Sequence, residues 1–191
     1  MERHTISGYL DFYVVGNNGS IDRCLNGQWI KIESGTTTNI DGLWGVNSNS
    51  ESTVFCTVSS FFEPGDMKIL KIKDNIVDSV SWNVNEYLSG VWTNNERYVY
   101  VCGDGVYNNK KVYWEKADLP AIATNDITGN GLNSIITVGD FGFAAYFNGY
   151  RWKTLTDIYN AAYYSVSVKD NLVAMVGERN GKGIVTIGIR N

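Results

Sequence analysis

The sequence predicts an all-β fold, a β-propeller of five blades with three to four antiparallel strands in each. Three observations carry the prediction. A strand that runs into a glycine-bracketed turn returns along the chain at about 36 to 45 residues, the spacing of propeller blades. A second segment, rich in small residues, stands ahead of every copy. Helical periodicity is absent. Aromatic residues make up 13% of the 191 residues and charged ones only 19%, so the buried surface comes from flat, wide side chains that suit sheets.

The strand-and-turn copies are FYVVGNNG (12–19), VYVCGDG (99–105), IITVGDFG (135–142) and VAMVGERNG (173–181). A degenerate copy, VFCTVSSFFEPG (54–65), has lost its first glycine. Ahead of them lie HTISG (4–8), DGLWG (41–45), SGVWT (89–93), NDITG (125–129) and YSVSV (164–168), with Ile6, Leu43, Val91, Ile127 and Val166 at their centres. One aliphatic residue between small ones fits an innermost strand, because five such strands converge on a narrow axis. Outer strands are clearest in SIDRCLNGQWIKIES (20–34) and FAAYFNGYRWKTLT (143–156). There a shared Asn-Gly supplies the positive φ angles of a tight hairpin, and Trp29 and Trp152 follow three and four residues after the Asn. Gly16, Gly103, Gly139 and Gly177 are expected in conformations that other residues reach only with strain. Pro64 and Pro120 fall in loops.

The blades of this single domain are therefore expected at 4–34, 41–82, 88–117, 125–156 and 163–191. The last repeat supplies three strands (164–168, 172–177 and 183–191) and no outermost fourth. Either the fifth blade has three strands, or MERHTIS is its outer strand and the first blade lacks an inner one. The alignment of Ile6 with the other inner positions favours the first. In both cases the first and last segments meet in space, since an exposed strand edge invites association with another chain.

Composition narrows function by exclusion. The net charge of −4 argues against nucleic acid, which needs a Lys/Arg patch to neutralise phosphates. No apolar run approaches a membrane span, and the first ten residues lack a signal-peptide core. Cys24, Cys56 and Cys102 have no CxxC spacing and two sit in strand patterns, so they read as buried free thiols, which leans towards a cytoplasmic setting. His4 is the one histidine, so no Ser-His-Asp triad or His-rich metal site is expected, and no cofactor. A monomer is expected.

Candidate ligand residues follow from propeller geometry. The turn between the second and third strands shares a face with the segment entering the next inner strand, and ligands sit there. The turns carry Asn17 and Asn18, Glu63 and Asp66, Asp104, Asp140 with Phe141, and Glu178 with Arg179; the entering segments add Asp41, Tyr87, Asp126 and Tyr159. Asn17, Asp104, Asp126, Asp140, Phe141 and Glu178 are the expected ligand-binding set, a polar, net-acidic ring suited to a sugar or a cation. Asp and Asn between glycines are also ordinary turn formers, which accept backbone hydrogen bonds and tolerate left-handed φ. Aromatics at repeat-equivalent positions (Trp44 with Trp92; Trp29, Trp114 and Trp152) read as packing between blades, while Trp82 has no evident equivalent. Phe61 and Phe62, in a loop, read as ligand or partner contacts.

The order strand-V-G-x-x-G, strand-N-G-x-x-W and small-rich inner strand resembles the repeats of bacterial five-bladed β-propellers, and is similar to photosystem-assembly-type and sialidase-like repeats. The strict sialidase Asp-box, S-x-D-x-G-x-x-W, is absent; SIDRCLNGQW (20–29) departs from it. The resemblance implies the fold and leaves activity open. The leading expectation is a non-catalytic scaffold that binds a carbohydrate or protein partner through the turn-bearing face. The alternative is a glycan-active enzyme, for which the resemblance implies carboxylates close to the axis such as Asp41 and Asp126.

Overall fold

A computed structural model describes residues 11–48, 51–60, 66–110, 113–155 and 160–189. The inner segment at 4–8, with His4 and Ile6, and Phe61, Phe62, Glu63, Pro64 and Tyr159 lie outside them. The described residues form five antiparallel sheets, each a meander in which successive strands pair. The first holds β1 (Asp11–Val15), β2 (Ile21–Leu25) and β3 (Gln28–Ile32). The second holds β4 (Ile40–Ser48), β5 (Glu51–Val58), β6 (Lys68–Lys73) and β7 (Ile76–Val80). The third holds β8 (Leu88–Thr93), β9 (Val99–Gly103), β10 (Val106–Asn108) and β11 (Glu115–Lys116). The fourth holds β12 (Thr124–Gly131), β13 (Ser134–Gly139), β14 (Ala144–Phe147) and β15 (Trp152–Thr154). The fifth holds β16 (Ala161–Lys169), β17 (Leu172–Arg179) and β18 (Lys182–Ile189). Among the described residues, helical geometry is confined to two three-residue 3₁₀ turns, Asn17–Gly19 and Asp140–Gly142, both inside the glycine-bracketed turns.

Sheets stack face to face in chain order, with inner strands β4, β8, β12 and β16 side by side. This stacking explains why β9 and β13 are buried along their whole length. Each belongs to a sheet covered on both faces, so period-2 alternation disappears there, as it does in any strand with core on both sides. Between the first and second sheets the core is aliphatic, around Ile21, Ile32, Cys56 and Ile72. Between the third and fourth it is aromatic: Trp92 stacks on Tyr100, Tyr100 on Phe147, and Phe147 on Trp152. Trp82 finds its place at the outer end of the second sheet, its ring 5.2 Å from Trp114 and 5.3 Å from Tyr107 of the third. All three cysteines are buried and unpaired, and burial pushes the Cys56 and Cys102 thiols up to about 12.

Four features bear on the sequence reading. Asn26 and Gly27 do take positive φ (53° and 82°) in the β2–β3 hairpin. At the other Asn-Gly only Gly149 does, because Asn148 instead uses its side-chain oxygen to accept the N–H groups of Tyr150 and Arg151, which makes a four-residue loop. Second, the glycine position of the degenerate copy is filled by Val58, which pairs with Ile40 as Gly103 pairs with Leu88. Third, Gly139 lies in extended backbone, φ −167°, so no strained torsion demands it. Close approach does: a methyl there would overlap the Ala123 carbonyl oxygen and stand 2.9 Å from Thr124 Cα. Gly177 meets Ala162 in the same way, whereas Gly16, also extended, has nothing within 4 Å among the described residues. Fourth, among the described residues no strand pairing, hydrogen bond or ion pair joins the fifth sheet to the first; the N-terminal segment expected to meet the last one lies outside them.

Candidate functional site

Every described inner strand breaks register at the same place, and β12 does so a second time between Gly129 and Gly131. β4 slips between Ile40 and Gly42, β8 between Leu88 and Gly90, β12 between Thr124 and Asp126, and β16 between Tyr163 and Ser165. The extra residues are Asp41, Ser89, Asn125 and Tyr164. A bulge leaves its extra residue out of the ladder and re-aims its side chain. Here all four line one axial cavity of about 440 Å³, together with Asp126, Ser165 and Val166.

Two of the four bulge residues act as latches to the next sheet. Ser89 Oγ donates to the Thr124 carbonyl at 2.7 Å, and Asn125 Nδ2 donates to the Tyr163 carbonyl at 2.9 Å. An Asp41 carboxylate has no proton to donate. The carbonyl it would have met, that of Leu88, takes its hydrogen bond from the Ser59 hydroxyl at 2.6 Å. Tyr164 stands in the fifth sheet, 56% exposed. Asp41 and Tyr164 are thus left facing the cavity.

A second set of latches lies just outside the first. Thr124 Oγ1 donates to the Gly103 carbonyl at 3.0 Å and accepts the Gly103 N–H at 2.9 Å, joining the third and fourth sheets. Ser59 likewise accepts the Leu88 N–H at 3.3 Å besides capping its carbonyl, joining the second and third. Both hydroxyls are buried, so each does what a ladder hydrogen bond cannot do across two sheets.

The six residues expected from sequence separate into two groups. Asp126 lines the cavity, and its oxygens accept Ile127 N–H (2.8 Å), Ser165 Oγ (2.7 Å) and Val166 N–H (2.8 Å), a further tie between the fourth and fifth sheets. The other five sit in the turns above. Asp104 accepts the Tyr87 N–H at 3.3 Å, Asp140 accepts Asn125 Nδ2 at 3.0 Å, and Glu178 accepts the Gly181 N–H of its own hairpin at 3.1 Å. Asn17 is exposed at the start of its 3₁₀ turn, and its carbonyl accepts the Ser20 N–H. Phe141 is 75% exposed and held at φ 55°, the left-handed region that a bulky side chain rarely enters. Its equivalent in the first sheet is Asn18, at the same φ of 55°. Asn tolerates that conformation through its short polar side chain; Phe does not.

Sequence reasoning named Asp41 as an entering residue and as a carboxylate of the enzyme alternative, and did not single out Ser89, Asn125 and Tyr164. The signal was present: these four form the first column of the aligned inner segments, one place before the small residues.

Asp41 is exposed at the cavity mouth, yet partial desolvation there holds its carboxyl above its ordinary value of 3.8, and no hydrogen bond among the described residues offsets it. Tyr87 is raised too, chiefly by burial and then by the nearby carboxylates of Asp41 and Asp104. A carboxyl raised in the folded state binds its proton more tightly there than in the unfolded chain. Its contribution is therefore lost as pH rises through the raised value, and at neutral pH Asp41 costs stability. Asp41→Asn is expected to melt higher than the parent at pH 7, with the difference vanishing when both are melted below the ordinary value of 3.8. An equal or lower melting temperature at pH 7 would show that the cavity solvates the carboxylate fully.

No protein-family model matches the sequence, and no curated protein matches it. Solved structures do. YCF48 bound to D1 peptide superposes with a TM-score of 0.67 at 12% identity, covering 97% of this chain and 62% of that one. YCF48 from Cyanidioschyzon merolae gives 0.66 at 11% identity, covering 94% of this chain and 66% of that one. The chain thus spans less than two thirds of either neighbour's length. At these identities the likeness concerns fold alone, and the fold is that of a β-propeller.

Proposed function

We propose that the chain is a non-catalytic β-propeller, each of its five sheets one blade, that holds a protein partner as an extended peptide across the face bearing the second-to-third strand turns. The observation that carries this reading is the unequal use of four equivalent bulge residues. Ser89 and Asn125 are consumed as latches, while Asp41 and Tyr164 keep a carboxylate and a phenol ring turned to the cavity. A basic side chain of the partner pairs with Asp41, and Tyr164 supplies a flat apolar wall. Phe141 projects from the rim beside Asp140, and Asn17, Asp104 and Glu178 complete the frame. Residues that work against folding, as Asp41 does by desolvation and Phe141 by its torsion, are candidates for function, since local conflicts concentrate at working sites. The neighbour that holds a D1 peptide supports a peptide as the partner class. A carbohydrate would use the same hydrogen-bonding and stacking groups.

Phe141→Asn copies the residue that stands at the equivalent place in the first sheet. It is expected to leave stability unchanged or raise it by about 0.5 to 1 kcal/mol, because Asn reaches the left-handed region more easily. Peptides selected from a displayed random library on the parent chain are expected to lose at least about tenfold in affinity on Phe141→Asn and on Asp41→Lys. A glycan array run alongside separates the partner classes: glycan binding lost on the same two variants would make the partner a sugar. Selected peptides that bind both folded variants as tightly as the parent would contradict the assignment of this face.

A further inference from the structure

At each junction between neighbouring sheets the trailing face of one packs on the leading face of the next. In the fourth sheet the trailing face is Ile136, Val138 and Ala144, all buried against Tyr163, Val166 and Met175 of the fifth. Register carries these positions onto the fifth sheet. Val138 pairs with Asp126 and Ala144 as Val176 pairs with Ser165 and Val185, and Ile136 pairs with Tyr146 as Ala174 pairs with Ile187. The trailing face of the fifth sheet is therefore the same kind of surface, and it is open: Val185 is 67% exposed, and Ile187 and Ile189 alternate with it along β18.

At the other end of the stack the situation is reversed. Phe147 and Trp152 form the leading face of the fourth sheet and pack on Tyr100 of the third. Their equivalents in the first sheet are Cys24 and Trp29, paired with each other as Phe147 pairs with Trp152. Trp29 is 59% exposed and edge-on to Phe12, and Val14 beside them is exposed too. Exposed apolar patches of this kind mark interaction surfaces, and stacked repeats ordinarily carry polar outer faces at their ends.

We infer that these two faces are partners for each other between copies of this chain, the trailing face of the fifth sheet in one copy seating the leading face of the first sheet in the next. Each is one half of a junction that the chain already forms between its own consecutive sheets, and that continuity names the occupant. The contact is heterologous: it joins unlike surfaces head to tail, and it runs to a closed ring or to an open chain of copies according to the rotation between them. It replaces the monomer that the sequence suggests.

Sedimentation velocity over two decades of concentration tests this, with Ile187→Lys on one face and Val14→Lys on the other. Both side chains are exposed, and melting curves confirm that each variant folds. Placing an unpaired ammonium in an apolar contact is expected to weaken association at least about a hundredfold. The parent should form dimers or larger species, and each variant alone should be monomeric. An equimolar mixture of the two variants should form a dimer and nothing larger, because one intact face of each kind remains. A parent that stays monomeric throughout overturns the inference, whether the two faces close on each other within one chain or are covered by something else. Assembly that survives both substitutions, or a mixture that stays monomeric, overturns it as well.

Discussion

Gly139→Ala is expected to cost roughly 3 kcal/mol or more, a drop in melting temperature of roughly 6 to 12 °C for a chain of this size. The new methyl would overlap the Ala123 carbonyl oxygen, which already accepts the Asp140 N–H at 3.1 Å, and would press on Thr124 Cα. Both obstacles are backbone within the same sheet, so relief requires β12 and β13 to part. Thr124 would move with β12 and loosen its hold on Gly103. Gly16→Ala is the control. It occupies the equivalent place in the first sheet, yet among the described residues a methyl there meets nothing within 4 Å, and its φ of 179° is open to any residue, so its change should stay within about 0.5 kcal/mol. Equal effects at the two sites would mean that torsion, and not close approach, explains the glycine.

Thr124→Val should be nearly as damaging although it changes almost no volume. Valine keeps the shape and removes the hydroxyl, leaving both the N–H and the carbonyl of Gly103 without a partner in a buried place. Two unsatisfied backbone groups cost about 2 to 4 kcal/mol together. Ser59→Ala should behave alike at the junction of the second and third sheets, where one hydroxyl serves both backbone groups of Leu88. Chemical denaturation of the three proteins measures this directly. A Thr124→Val chain as stable as the parent would show that water enters the junction and replaces the hydroxyl.

How much of this was legible in the sequence depends on how local each cause is. Strand order and the glycine turns were legible, because alternation and turn chemistry act over a few residues. The buried thiols were legible for the same reason. The bulges were not: a bulge is defined by the partner strand, and nothing in DGLWG or SGVWT alone marks Asp41 or Ser89 as the residue left out of the ladder. The latches were still less visible, since Ser59 and Leu88 lie 29 residues apart, and Thr124 and Gly103 21. A serine in a strand looks the same whether its hydroxyl meets water or a neighbouring sheet. Gly16 and Gly139 illustrate the limit from the other side, for identical motifs hide different reasons for the same residue. For the candidate site, the turns were legible as turns, and the face that bears them is the one proposed here. The inward-facing pair, Asp41 and Tyr164, emerged only when register showed which of four equivalent residues had been spent on holding sheets together.

The most direct test of the binding face is hydrogen–deuterium exchange on the chain with and without a peptide selected against it. The account predicts slowed exchange in the segments around Asp41, Ser89, Asn125 and Asp140–Gly142, with no change at the outer strands β7, β11 and β15. Protection confined to those outer strands, or to β3 and β18, would contradict it.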